Sequence, residues 1–353
     1  MRILILALSG IGDALMFTPA LKLMRKTLPM AEINALVMFK GVLDIYERNN
    51  DLNNVIYFDF MNEGIINSFR FIKTIRKKYD VSVNVYPSNR SEYNIISFLV
   101  GAGKRAGIKY LRRDIRNLRF LNNVRITEDD SWHNVQTNIR LVEKLLNKTF
   151  NEEPSLDFTL AKNDLLYAQE YFNRINLNSN DLVIGFHPGS ATLKNHINRR
   201  WEPEKFASLG QSLINNLNAK ILLFGGPEEN DLKKAINNLI NSTKSMIVET
   251  DNLAQSAAII QRCNLFVSND SSLMHVASAL QRKVIAIIGP TNPNYIHPWK
   301  TEHRIVTLNL ECAPCFFYSP RPLICIRTDI KYKCIRELSV DMVVNTATEL
   351  LNK

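Results

Sequence analysis

Short apolar runs alternate along this chain with segments whose apolar residues recur every three or four positions. Met1–Leu8 is a near-continuous apolar run and reads as a strand, whereas Asp13–Thr27 has helical spacing. Ile33–Met38 and Asn54–Asp59 read as strands, Ile65–Lys78 as a helix and Val81–Tyr86 as a strand. A helix over Trp132–Leu146 closes the first half, and Asn151–Asp157, with Glu152, Glu153 and Pro154, reads as a linker. The alternation then resumes. Strands are expected at Leu182–His187, Lys220–Phe224, Met246–Glu249, Leu265–Ser268 and Val284–Ile288. Helices are expected between them at Pro203–Asn216, Glu228–Ile240, Leu253–Arg262 and Leu273–Leu280. Strand and helix in strict turn describe a parallel, doubly wound sheet, because a parallel connection needs a crossover element. The expected class is therefore α/β, with two such domains, residues 1–158 and 159–353, and with the last helix free to pack back on the first domain.

The 353 residues are enough for two domains, and 46% hydrophobic with 22% charged residues is ordinary for a globular chain. No apolar run reaches the roughly 18 residues of a membrane span. Arg2 precedes an apolar stretch as in a signal peptide, but Asp13 interrupts it and no small-x-small cleavage site follows, so the expectation is a mature first strand in a cytoplasmic protein. The net charge of +10 is uneven. Lys104, Arg105, Lys109, Arg112, Arg113, Arg116, Arg119 and Arg125 lie close together against a single acid, Asp114. Such a run attracts anions, and its plain alternative is a solvated face. Few aromatics are interleaved to stack bases, which argues against nucleic acid.

Candidate chemistry sits where strands end, because ligands of open α/β sheets bind at the carboxyl ends of the strands. Two such domains facing each other would place those ends across one cleft. The first junction is Ser9-Gly10-Ile11-Gly12-Asp13. A dinucleotide fingerprint needs a third glycine where Leu15 stands and an acid where Phe39-Lys40 stand, so it is not met. Gly10 and Gly12 still permit close backbone approach, and Asp13 is either a helix-start acid or a general base. The second junction, His187-Pro188-Gly189-Ser190, is followed by Arg199 and Arg200; together they offer backbone, hydroxyl and guanidinium donors to a pyrophosphate. The third, Gly225-Gly226-Pro227, leads into Glu228, an acid suited to a ribose hydroxyl or to a helix start. The fourth is Asn269-Asp270-Ser271-Ser272 before a helix, a ready phosphate site, with His275 in the first turn.

The pieces LSGIGDALMFTPAL, FHPGSATLKNHINRRWEPEKFASL, LLFGGPEEN and SNDSSLMHVASALQRKVIAIIGPTNP together resemble glycosyltransferase family 9, the ADP-heptose:lipopolysaccharide heptosyltransferases, along almost the whole chain. The resemblance implies a GT-B fold, two Rossmann-like domains facing across a cleft, and an inverting, metal-independent transfer of a sugar, heptose from ADP-heptose, to a lipopolysaccharide-core acceptor. No cofactor is implied, and the absence of a D-x-D triplet agrees with metal independence. Carried over, the base falls on Asp13, the donor-phosphate cation on Arg199 in place of the family's lysine, and the ribose acid on Glu228, or Glu229 by a slip of one. The Asp-Ser/Thr-Gly-Leu-x-His motif falls on Asp270, Ser271, Ser272, Leu273 and His275, with Ser272 where the family has glycine. Ser190 and Arg200 join the donor set, and Gly189 gives backbone approach. The N-terminal domain would receive the acceptor, with Arg112, Arg113 and Arg116 meeting its anionic groups or an anionic membrane surface.

Cys312, Cys315, Cys325 and Cys334 read C-x2-C-x9-C-x8-C. A cytosolic compartment argues for reduced thiols, and the spacing leaves a four-thiolate zinc site open. Two other functions remain: a different nucleotide-sugar enzyme on the same fold, such as another transferase or an epimerase, or a non-catalytic protein of envelope assembly.

Overall fold

The structure is a computed structural model that describes residues 1–112, 115–191, 193–317 and 322–352, and at 193 and 194 the backbone alone. These residues form two compact units, one of residues 1–159 and the other of residues 160–317 and 322–352.

The first unit runs β1 (Arg2–Ala7), α1 (Ile11–Thr27), β2 (Glu32–Val37), α2 (Lys40–Tyr46), β3 (Asn54–Tyr57), α3 (Gly64–Ile75), β4 (Val81–Asn84), α4 (Ser91–Val100), β5 (Lys104–Lys109), β6 (Val124–Thr127) and α5 (Asn134–Leu146). Two 3-10 turns, Ile115–Asn117 and Arg119–Leu121, join β5 to β6. All pairings are parallel, in the order β3-β2-β1-β4-β5-β6. Alternate residues of a strand face opposite sides. Leu4, Leu6 and the following Leu8 pack with Ile72 and Ile75 of α3 and Ile96 and Val100 of α4. On the other side α1 lies against α5. Pro19 lies inside α1 and cannot donate to Leu15 four residues back; the Thr18 hydroxyl takes that carbonyl at 2.7 Å.

The second unit runs α6 (Lys162–Arg174), β7 (Val183–His187), α7 (Pro203–Leu217), β8 (Lys220–Leu223), α8 (Asn230–Ile240), β9 (Ser245–Ile247), α9 (Leu253–Ile260), β10 (Leu265–Asn269), α10 (Ser272–Ala279), β11 (Lys283–Ile287), α11 (Pro293–Ile296), β12 (His303–Val306), α12 (Lys333–Arg336) and α13 (Val340–Leu351). Its sheet is again parallel, in the order β12-β11-β10-β7-β8-β9. Ile184, Phe186, Leu223 and Val267 of the strands meet Phe206 and Leu213 of α7. The last helix adds Val343, Ala347 and Leu350 to this same core, so its apolar stripe is satisfied within the second unit.

Both sheets therefore carry the α/β architecture expected of the GT-B fold. In each, strand order reverses once, between β1 and β4 and between β7 and β10, and there the connections diverge to leave a crevice beyond the strand ends. Among the described residues no helix is long and apolar enough to cross a membrane.

Several elements escape the apolar pattern. β5 reads KRAGIK, and its strand character comes from pairing with β4 and β6, not from its own composition. The basic run is thus partly a sheet strand: Ala106, Gly107 and Ile108 are buried while Lys104 and Lys109 are exposed at its ends. α4 contains the buried polar residues Asn94 and Ser97 and follows no clean stripe. Glu228 lies in a 3-10 turn, Pro227–Glu229, ahead of α8.

Gly185 in the middle of β7 has no room for a side chain. A Cβ there would lie 2.6 Å from the Phe266 ring and 3.0 Å from Cys263 Sγ. Phe266 is itself packed against Phe224, with ring centroids 5.5 Å apart, and has nowhere to retreat. Gly185→Ala is expected to destabilise the protein by about 1–3 kcal/mol through overpacking. Urea denaturation checks this, and an unchanged midpoint would contradict the packing described.

Candidate functional site

In the first unit, the crevice beside β1 is lined by Ser9–Asp13 and, after β4, by Tyr86–Ser88. The Ser9 hydroxyl donates to the Pro87 carbonyl at 2.5 Å and ties the two strand ends together. Gly10 is the N-cap of α1 with extended backbone (φ −72°, ψ 174°), a conformation that does not by itself require glycine. Asp13, half-buried in the first turn, accepts the Gly10 N–H at 3.2 Å. Its carboxylate thus serves the helix start. Gly12 lies in the same turn.

Phenols gather around this carboxylate. Burial, and then the charge of Asp13, push Tyr46 well above the ordinary phenol range; burial does the same to Tyr110, opposed by its hydrogen bonds with Ser88 and helped by the charges of Glu128 and then Asp13. Burial raises Tyr93 to about 12, with Asp13 adding to the rise and Arg90 opposing it. All three remain neutral hydrogen-bonding groups. Behind them, buried Glu128 accepts from the Tyr86 hydroxyl at 2.6 Å and the Leu111 N–H at 3.0 Å. Burial raises its carboxyl above the usual range, although both hydrogen bonds pull the other way. Sequence reading missed Tyr86, Tyr110 and Glu128. The available signal was only that each stands at or just past the end of a strand.

The arginines expected to meet an acceptor are not equivalent. Arg112 forms a two-point pair with Asp130 at 3.0 and 2.7 Å. Arg116 is exposed, and Arg113 lies outside the described residues. Arg105 donates to the carbonyls of Leu121 and Ala102, which is structural work.

The second unit builds a denser site at its switch point. Asn269, buried at the end of β10, donates to the Pro188 carbonyl at 2.7 Å and accepts the Trp201 N–H at 3.0 Å. One amide therefore fixes both the loop after β7 and the end of the basic loop. Trp201 is fully buried, and its indole N–H reaches the Leu338 carbonyl at 3.0 Å. Anchored this way, Arg199 and Arg200 diverge. Arg199 is buried, donates to Asp270 Oδ2 at 2.5 Å, and stands 5.5 Å over the Phe316 ring. Asp270 also accepts from Thr291 at 2.6 Å. The Nε of Arg199 has no protein partner although it is buried. Arg200 donates to the Ser190 carbonyl at 2.6 Å and to Glu229 Oε1 at 3.1 Å. Ser190 in turn lies within reach of the Ala191 and His196 carbonyls, so Ser190 and Arg200 hold the loop in shape.

α10 starts immediately after β10. Ser271 is its N-cap in extended backbone and Ser272 its first residue, with ordinary helical geometry. No positive φ is needed at 272, so serine there is unstrained. His275 is buried; burial lowers its imidazole to about 4, partly opposed by the charge of Asp270, and its Nδ1 has no protein partner. It is a neutral ring at pH 7. The first backbone N–H groups of α10, lacking intrahelical acceptors, face the same junction.

Glu228 and Glu229 divide clearly. Glu228 is exposed at the end of β8, while Glu229 is buried. The expected close approach of a ligand at Gly189 is instead made by Glu229: a Cβ on Gly189 would lie 1.7 Å from Glu229 Oε1. Glycine is needed there because a carboxylate crosses over its backbone.

The sequence profile described as glycosyltransferase family 9 (heptosyltransferase) matches residues 68–321. The chain belongs to glycosyltransferase family 9. It is similar to lipopolysaccharide heptosyltransferase 2 of Escherichia coli strain K12, with 26% identity over 321 residues, 87% of this chain and 88% of that one. It is also similar to lipooligosaccharide heptosyltransferase 2 of Haemophilus influenzae, with 28% identity over 248 residues, 68% of this chain and 69% of that one. Among solved structures, a family 9 glycosyl transferase from Veillonella parvula superposes with a TM-score of 0.78 at 23% identity, covering 99% of this chain and 97% of that one. The E. coli ADP-heptose lps heptosyltransferase II superposes with a TM-score of 0.75 at 21% identity, covering 100% and 99%. The protein is thus a glycosyltransferase with the fold of these enzymes.

The four clustered cysteines of this family 9 chain are free thiols. Cys334 is buried, Cys312 and Cys325 half-buried and Cys315 exposed. Burial and the neighbouring thiols raise Cys315 and Cys334, the latter to about 11, so both are protonated at neutral pH. Among the described residues no three His, Cys, Asp or Glu side chains form a group that could hold a metal ion.

Sequence reading placed His187, the last residue of β7, in the second junction but gave its side chain no role. Its Nε2 stands 3.0 Å from Glu229 Oε2 and its Nδ1 2.7 Å from Ser271 Oγ. An imidazole thus bridges the two sides of the switch point. With Glu229 ionised, Nε2 carries a hydrogen. A neutral ring then accepts the Ser271 hydrogen, and Ser271 Oγ also lies 2.9 Å from Ser268 Oγ. Burial alone would raise the Glu229 carboxyl, but His187, Arg200 and the Gly226 N–H outweigh it and hold it below the usual range. A depressed carboxyl stabilises the fold above the ordinary carboxylate range, and that contribution is lost as pH falls through the depressed value. Glu229→Gln is therefore expected to cost roughly 3 kcal/mol at pH 7, with a gap to wild type that closes on acidification below about pH 4. Denaturation midpoints across this pH range check it; a gap that does not change with pH would remove the charge from the explanation.

Proposed function

We propose that this protein is a cytoplasmic, inverting and metal-independent enzyme that moves heptose from ADP-heptose to a lipopolysaccharide-core acceptor. The observation that carries the donor half is the junction of β10 and α10. A helix start, the neutral His275 and the Arg199–Asp270 pair meet there, and two buried nitrogens, Arg199 Nε and His275 Nδ1, lack protein partners. Buried polar groups left without a partner are rare and costly, so a ligand that accepts hydrogen bonds accounts for them. A pyrophosphate is such a ligand. Exposed Glu228, at the end of the next strand, is the acid available to a ribose hydroxyl. Glu229 is not available, because His187 and Arg200 occupy it. Ser271 and Ser272 add hydroxyls, and Ser190, Arg200 and Gly189 shape the loop that holds them.

The acceptor half rests on Asp13. Inverting transfer needs one base to take the proton of the attacking hydroxyl while cationic and dipolar groups stabilise charge on the leaving nucleotide. Asp13 is a half-buried carboxylate in the first turn of α1, and of the neutral phenols that feel its charge the half-buried Tyr93 is the one a sugar could reach, since Tyr46 and Tyr110 are buried. The relatives in E. coli and H. influenzae are heptosyltransferases of lipopolysaccharide and lipooligosaccharide, which supports heptose as the sugar and the lipopolysaccharide core as the acceptor. The E. coli enzyme that superposes on this chain is an ADP-heptose heptosyltransferase, which supports ADP-heptose as the donor.

Two measurements test this reading. In a thermal-shift screen, ADP-heptose should raise the unfolding temperature more than UDP-, GDP- or other ADP-sugars do, with or without a chelator; equal shifts for all would reject the donor. Asp13→Asn keeps an acceptor for the Gly10 N–H and so keeps the start of α1. It is expected to lower kcat by about 10²–10⁴-fold with the donor-induced shift unchanged. Turnover within a few-fold of wild type would remove Asp13 as the base.

A further inference from the structure

The first unit has one layer whose outer surface is not that of an ordinary solvated domain. α3 turns Ile72 and Ile75 inward, yet Ile65 is 76% exposed, Ile66 70% and Phe69 50%. Ile65 and Phe69 are four residues apart, so they share one face of the helix. Met61, just before α3, is exposed as well. α3 lies against α4, whose Phe98 is 49% exposed, and α4 lies against the two 3-10 turns, which expose Ile115 and Phe120. Single exposed apolar side chains need no explanation, but a set on consecutive packed elements marks an interaction surface.

The same layer is cationic. Arg70, Lys73, Arg76, Lys77 and Lys78 follow the apolar turns of α3 and are all exposed. Arg116 is exposed beside Ile115, and the Arg105 guanidinium lies 5.6 Å over the Phe98 ring. The acids of these helices, Glu63 and Glu92, sit at the two helix starts, away from the basic turns. Protruding aliphatic and aromatic side chains bordered by lysine and arginine fit a surface that is apolar inside and anionic at its boundary. A second copy of this chain fits poorly, since it would set one cationic layer against another.

We propose that the outer layer formed by α3, α4 and the 3-10 turns is a membrane-docking face that inserts Ile65, Ile66 and Phe69 among the headgroups of an anionic bilayer, with Arg70, Lys73 and Arg76 meeting lipid phosphates. Its purpose rests on the function proposed above, with a lipid-linked acceptor; the contact itself is tested without any substrate. None of Ile65, Ile66, Phe69, Arg70, Lys73 and Arg76 is among the residues named above beside β1, Ser9–Asp13 and Tyr86–Ser88. The face also extends the role expected of the Lys104–Arg125 run: its exposed members lie ready for lipid, and to its own Ile115 and Phe120 the face adds Ile65, Ile66, Phe69 and Phe98 from elsewhere in the sequence.

The experiment is flotation of the purified protein with vesicles of mixed phosphatidylglycerol and phosphatidylcholine, and with phosphatidylcholine alone. Wild type should float with the anionic vesicles, lose most binding at high salt, and ignore phosphatidylcholine. The exposed-site variants Ile65→Ser/Phe69→Ser and Lys73→Gln/Arg76→Gln should each bind about tenfold more weakly or worse, with unfolding temperature unchanged. Transfer to a delipidated, water-soluble acceptor should be unaffected in both. Failure of the wild type to bind, or equal binding by the serine variant, overturns the proposal. So does a dimer in sedimentation equilibrium that Ile65→Ser/Phe69→Ser dissolves, because the face would then serve self-association. Loss of the proposed reaction would appear separately, as no transfer from ADP-heptose with docking intact.

Discussion

The buried carboxylate of Glu229 is the contact on which the second unit's site depends. It lies over the backbone of Gly189, accepts from His187 and Arg200, and takes the Gly226 N–H. A single negative charge, removed from water, thereby joins the loops after β7 and β8 and, through the imidazole, the start of α10. A buried charge is stable only when paired and hydrogen-bonded, so each partner is held in place as firmly as the charge itself. The loop carrying Arg199 inherits that rigidity from two sides: Arg200 is held by Glu229, and Trp201 is held by Asn269. A long polar loop thus becomes a fixed cationic wall.

The two sheets use one topological device for different chemistry. Strand order reverses beside β1 in one and beside β7 in the other, and both candidate sites grow from the reversal. At β1 stands a half-buried aspartate with the half-buried Tyr93 and the buried phenols of Tyr46 and Tyr110 around it, and a buried glutamate behind them. At β7 it is lined by guanidinium, imidazole and a helix start. The first environment suits proton removal from a sugar hydroxyl and the second suits an anionic leaving group, the two needs of the transfer proposed above.

The polar interior of the first unit is only partly satisfied by its own hydrogen bonds: Asn84 Oδ1 and Asn117 Nδ2 are buried without a partner. Asn84, Asn94 and Asn122 are buried together beneath α4, with Asn122 donating to Asn94 at 2.7 Å. Asn94 also donates to the Asn117 carbonyl, which ties α4 to the first 3-10 turn.

The alternation of strand and helix, the two-unit α/β class, and the junctions where chemistry sits are all legible along the chain. They follow from local periodicity and from glycine, hydroxyl and charge at strand ends, which a linear reading contains. Asp13, Arg199, Glu228 and the Asp270–His275 stretch stand out on that basis and on family resemblance. Elements without a local pattern are not legible: KRAGIK becomes β5 because its neighbours pair with it, and α4 hides asparagine and serine instead of a clean apolar stripe. Which carboxylate of Glu228-Glu229 is buried is settled in three dimensions, because it depends on His187, 42 residues away in sequence from Glu229. So is the difference between paired Arg112 and exposed Arg116, and so is the surrender of Gly189 to a carboxylate. Each of these depends on distances between residues remote along the chain, and no spacing rule carries such distances.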